Sequence, residues 1–162
     1  MLRTDHIAAS GTWPADAARG AVTLAYDDRH RRRIRLVADN GVEFLLDLPE
    51  ATVLRSGDGL RLDDGSWIAV CAAEEDVCDI SCATAEQLAR IAWHLGNRHL
   101  PVQVVPGGLR IRDDHVIVDM LKGLGASVVR RKAPFDAEPG AYARFAGDHH
   151  HSARHVHSHS HD

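Results

Sequence analysis

Imidazoles crowd the end of this chain. His149, His150, His151, His155, His157, His159 and His161 are seven of its twelve histidines, and the last four alternate with Val156, Ser158 and Ser160. Imidazole titrates near ~6.5, so at neutral pH most such rings are uncharged and offer a lone pair to a divalent metal. Two or three rings on a flexible tether can close on one ion, and a tract of this composition reads as metal binding. Two blander meanings stand beside it. One is a cloning tag, although tags are usually unbroken histidine runs. The other is a disordered, solubilising tail that meets metal by accident.

Three further histidines lie in the second half of the chain before the tail: His94, His99 and His115. His94 falls in an expected helix beside its apolar stripe and reads as a packed helix residue. His99 follows Gly96-Asn97-Arg98, where its ring can face outward near a helix C-terminus whose partial negative charge favours a cation. It reads equally as a metal ligand or as a hydrogen-bonded loop histidine. His115 follows Asp113 and Asp114, either of which can orient its ring or simply cap a helix. A transition metal takes about four to six donors. Either His94, His99 and His115 converge, or a second subunit supplies the rest; a two-fold axis near His99 would pair two rings.

Other chemistry is thinly represented. There is no His-Glu-x-x-His, and Ser81-Cys82 has no adjacent base. Lys122-Gly-Leu-Gly-Ala126 lacks the strand-before, helix-after context of a phosphate loop and reads as a helix stop. Cys71, Cys78 and Cys82 are too few and too oddly spaced for a disulfide framework or a zinc knuckle, and each is expected as a half-buried thiol. A net charge of −4 argues against nucleic-acid binding. The basic run Arg29-His-Arg-Arg-Arg33 stands against that balance; it reads as a solvated loop after Asp27-Asp28, or as a docking patch for an acidic partner. No apolar run is long enough for a membrane span, and the first residues lack a signal-peptide core. A cytoplasmic location is expected.

The elements that must carry these residues fall into two regimes. Val22–Tyr26, Arg33–Val37, Glu43–Asp47, Gly59–Leu62 and Ser66–Val70 are strand-like, with Asn40-Gly41 as a hairpin signal. No helix is expected there. From residue 75 the pattern changes. Val77–Ile80 reads as a strand. Thr84 and Gln87 form a capping box, Leu88, Ile91, Ala92 and Leu95 make an apolar stripe, and Gly96 is placed as the stop. Val102–Val105 and Leu109–Arg112 read as strands across Pro106-Gly-Gly108. A helix with Ile117, Met120, Leu121 and Leu124 follows, ended by Gly123 and Gly125, and Ser127–Arg131 is the last strand. The expected class is α+β: an N-terminal all-β domain (1–74), a ferredoxin-like βαββαβ domain with an irregular Pro134–Gly147 connector (75–147), and a disordered His-rich tail (148–162).

Trp93-His-Leu-Gly-Asn-Arg-His-Leu-Pro101 strongly resembles the signature of the UreE family, the urease accessory nickel metallochaperones. Leu48–Asp58 is similar to that family's first domain, Asp114–Leu121 to its second-helix motif, and Pro134–Tyr142 before a His-rich tail to its ending. The resemblance implies a homodimer joined through the ferredoxin-like domains, with His99 of each subunit on one shared metal. It implies an additional metal position at His115; some members carry a histidine where this chain has Asp113, a harder oxygen donor. The tail varies too widely for its ligands to be carried over singly.

On this reading the chain is not an enzyme. It binds Ni(II) as cargo, with Zn(II) or Cu(II) as guests in vitro, and passes it to the urease apoprotein complex and its accessory GTPase. The alternative is a cytoplasmic His-rich nickel or zinc storage protein. A zinc hydrolase would need an open coordination position and a positioned base.

Overall fold

The computed structural model describes residues 1–140. The connector after residue 140 and the tail histidines, expected above as ligands, lie outside the described residues.

The first half is all-β, as expected, but its pairing is richer than a run of hairpins. β1 (Leu2–Thr4), β5 (Glu43–Val53) and β4 (His30–Val37) form one sheet in the order β1-β5-β4. β2 (Ile7–Ala8), β6 (Gly59–Arg61), β7 (Trp67–Ala72) and β3 (Ala18–Leu24) form another, in the order β2-β6-β7-β3. The Asn40-Gly41 signal holds: Gly41 takes φ 83°, and β4 and β5 pair antiparallel across it. β1–β5 and β3–β7 are parallel, which local patterning does not reveal. The strand expected at Val22–Tyr26 begins earlier and stops at Leu24, because Tyr26–Asp28 is a single 3-10 turn. Phe44, Leu46, Leu54, Leu60 and Ile68 meet in the core between the sheets with no exposure.

The second half has the expected order: β8 (Glu74–Ser81), α1 (Ala85–Asn97), β9 (Gln103–Val105), β10 (Gly108–Arg112), α2 (His115–Gly123) and β11 (Ser127–Pro134). Its sheet runs β11-β8-β10-β9, antiparallel throughout, which is the ferredoxin-like arrangement. The buried residues Ile91 and Leu95 of α1, and Val118 and Leu121 of α2, pack on Cys78, Ile80, Leu109 and Ile111. Two members of the expected stripes are instead exposed: Ala92, at the margin of the buried face of α1, and Leu124, which lies past the last residue of α2 as its C-cap. Among the described residues, no helix is long and apolar enough to cross a membrane.

The basic run is where the sequence reading fails most clearly. Arg29 is not solvated; its side chain has no exposure, and residues 30–37 are strand. Its guanidinium donates to Asp136 Oδ1 at 2.7 Å, to the Phe135 carbonyl, and to the Leu54 carbonyl at 3.5 Å. Arg55 adds bonds to the Ala137 carbonyl and to Asp136. The segment after β11 is therefore irregular but anchored. Phe135 and Ala137 are buried against Val77, Ala133 and Tyr26, and Glu138 N–H reaches the Val102 carbonyl at 2.7 Å.

Candidate metal centre

α1 starts with Thr84, whose side chain accepts from Gln87 N–H at 3.1 Å. Only half of the expected capping box forms. The Gln87 amide turns away and donates to the Leu124 and Gly125 carbonyls, tying the start of α1 to the end of α2.

The stop that follows α1 is set at His99, one residue past its C-cap Arg98. Gly96, expected as the stop, lies inside α1, which runs through Asn97. His99 takes φ 54° and is the one non-glycine residue with positive φ among the described residues. Its N–H donates to the Gly96 carbonyl at 3.0 Å, and Leu100 N–H to the Leu95 carbonyl at 3.3 Å. These paired bonds make a Schellman stop, whose left-handed position usually belongs to glycine. A side chain there costs roughly 1 kcal/mol, because Cβ crowds the backbone. The side chain of His99 is exposed. Arg98 Nη1 satisfies the His94 carbonyl at 3.1 Å, and the end of the helix keeps its partial negative charge.

Trp93, six residues before His99, is 64% exposed, and its ring meets His94 edge-on with 5.0 Å between centroids. His94 is half-buried in a hollow with Thr84, Gln87, Arg90, Ile91 and Leu124, as befits a packed helix residue. His115 is the first residue of α2 and exposed; Asp114 caps the helix, accepting from Val116 and Ile117 N–H. Asp113 is otherwise engaged. Arg130 Nε donates to both its oxygens at 3.0 Å, and the Cys78 thiol donates at 3.3 Å. The Arg130 bond first, then the thiol, hold the Asp113 carboxyl below its ordinary range. Burial, reinforced by Asp113, pushes the Cys78 thiol up to about 11, so it stays protonated at neutral pH. Cys78 is fully buried, not half-buried as expected, while Cys71 and Cys82 are intermediate.

Among the described residues, no three histidine, cysteine or acidic side chains gather as a metal-binding group. His94, His99 and His115 do not converge, so the first of the two arrangements open to the sequence is excluded. His149, His150, His151, His155, His157, His159 and His161 lie outside the described residues. The left-handed setting of His99 was invisible to the sequence reading, because glycine three residues earlier was the stronger stop signal. The Arg29–Asp136 pair was missed because the surrounding arginines made Arg29 look solvated.

Comparison with known proteins matches two family models in succession. A model of the UreE urease accessory protein N-terminal domain matches residues 2–73, and one of its C-terminal domain matches residues 75–161. The urease accessory protein UreE of a Bradyrhizobium species (strain ORS 278) is 52% identical over 143 residues, 88% of this chain and 68% of the relative. That of Beijerinckia indica is 51% identical over 150 residues, 93% of this chain and 86% of the relative. That of Rhodobacter capsulatus is 46% identical over 160 residues, 98% of each. With both domain models matched in order and relatives aligned along most of the sequence, the chain belongs to the UreE family of urease accessory proteins.

Proposed function

We propose that this chain binds Ni(II) and delivers it for assembly of the urease metallocentre. The observation that carries the reading is His99 standing where a Schellman stop favours glycine, with its ring exposed beyond the helix end. Strain of this kind is kept where a side chain is needed at that point. One ring per chain is too few donors for a transition metal. A homodimer with His99 of each subunit on one axis supplies two, and tail imidazoles supply others. Exposed Trp93 on the same helix is apolar surface of the kind a second subunit covers.

The division of labour follows. Residues 1–74 engage partners, residues 75–147 dimerise and hold the central ion, and residues 148–162 collect ions. A short tether puts tail histidines at millimolar effective concentration. His115 contributes to a peripheral position; Asp113, bonded to Arg130, makes a poorer ligand than its neighbour. Imidazole donors suit nickel, zinc and copper, and intrinsic affinity favours copper. Selectivity for nickel therefore comes from supply and from the receiving partners, the urease apoprotein complex and its accessory GTPase in the cytoplasm. The role is carriage, without catalysis.

Calorimetric titration of the protein with Ni(II), alongside light scattering, tests the reading. The expected result is a dimer whose tightest step disappears in His99→Ala. A monomer, or an unchanged tightest step, would overturn it. The histidine count of the tail also suits storage, and transfer of bound nickel to the urease complex separates delivery from storage.

A further inference from the structure

β4 is an edge strand: the sheet order places it last, and among the described residues its backbone pairs with β5 alone. Its sequence is His30-Arg-Arg-Arg-Ile-Arg-Leu-Val37, four arginines and no carboxylate, in a chain whose net charge is −4. Two of those arginines are partly neutralised. Arg31 meets Asp28 at 2.8 Å, and Arg33 meets Asp47 at 3.8 Å, with Asp47 closer to Arg3 at 2.8 Å. Arg32 and Arg35 are exposed and have no ion pair among the described residues. The β4–β5 register shifts around Arg32: Arg31 faces Thr52 and Arg33 faces Asp47, so the irregularity lies on the β5 side and Arg32 stands against it. Exposed apolar side chains flank the basic stretch: Val37 at the end of β4 (54%) and Val53 opposite His30 (43%).

We infer that β4 is a docking edge for an acidic, extended segment of a protein partner, which adds to the sheet as a further strand. An open edge offers backbone donors and acceptors that a strand satisfies, and alternate side chains then set specificity. Arg32 and Arg35, three residues apart and so on opposite faces of the strand, supply charge complementarity on both faces, which steers encounter and rejects basic partners. The flanking valines favour a protein over a nucleic acid, which presents no strand to pair, and the chain's net negative charge repels polyanions at longer range. Arginines on an edge can also serve only to block aggregation, and that role makes a different forecast. The inference rests on the reading that residues 1–74 engage partners and names the edge and the partner chemistry; it needs no metal, so failure of nickel binding leaves it standing.

The test uses the full-length, metal-free protein and a fluorescent synthetic peptide of repeated Glu-Glu-Val-Val, which carries glutamate on both faces when extended. Anisotropy should show binding that weakens with added salt. Binding should weaken by about tenfold or more in R32E/R35E, at unchanged thermal stability. The R32Q/R35Q pair should lie between. Amide exchange should slow in Arg31–Val37 when the peptide is bound, and backbone N-methylation of the peptide should abolish the effect. The inference is overturned if the peptide does not bind, or binds wild type and R32E/R35E alike. It is equally overturned if protection falls elsewhere, or if an oligonucleotide of matched charge binds as tightly.

Discussion

His99 and Gly125 occupy the same position of the same capping motif. Gly125 closes α2 at φ 86°, its N–H on the Lys122 carbonyl and the next N–H on the Leu121 carbonyl, both at 3.0 Å. His99 closes α1 with the same pair of bonds at φ 54°. At the left-handed position the two helix ends differ as histidine against glycine, and the histidine is the strained choice.

Replacing His99 should therefore separate stability from metal binding. His99→Gly should raise stability by about 0.5–1 kcal/mol, since relief of the left-handed strain exceeds the added freedom of the unfolded chain. His99→Ala should bring no such gain, because its Cβ remains. Both variants should lose the tightest nickel step. Urea denaturation of the metal-free proteins, with calorimetry of the same samples, checks both halves.

Removing residues 149–162 should lower the number of nickel ions bound and leave the fold intact. Every buried apolar residue of the described cores lies before residue 138. Circular dichroism should show an unchanged thermal transition, and light scattering an unchanged mass per particle after correction for the lost residues.

Arg29→Ala should destabilise the protein by about 3–5 kcal/mol, the range expected when one partner of a buried ion pair is removed. The change strips Asp136 of its closest cation and the Phe135 and Leu54 carbonyls of a donor. Arg29→Met fills more of the volume and should cost less. Chemical denaturation measures both.

Acid should weaken the second domain through Asp79. Hydrogen bonds from Arg110 at 2.6 and 3.0 Å, with Arg131 beside it, hold this carboxyl below its ordinary range. A carboxyl with a depressed folded value takes up its proton more readily when unfolded. Its contribution is complete above about pH 4 and disappears as pH falls through the lower folded value. Asp79→Asn should therefore lose stability near about pH 7 and show a flatter acid limb than wild type. Urea midpoints across the acid range decide this.

Much of the fold was legible because its signals are local. Helix positions follow from the apolar spacing around Ile91, Leu95 and Leu121, and Asn40-Gly41 and Asp114 mark a turn and a cap through backbone chemistry that neighbours alone decide. The motif around His99 pointed to a family, and the antiparallel β11-β8-β10-β9 sheet agrees with the element order read from the sequence. Tertiary structure decided what depends on distant partners. Nothing near Arg29 in sequence announces Asp136, more than a hundred residues away. The parallel pairings β1–β5 and β3–β7 likewise join segments whose own patterns carry no record of direction. Gly96 stayed helical and His99 became the stop because the burial of Leu95 and the packing of half-buried Leu100 against the same core fix where the chain must turn, and packing outweighs the preference of a single residue.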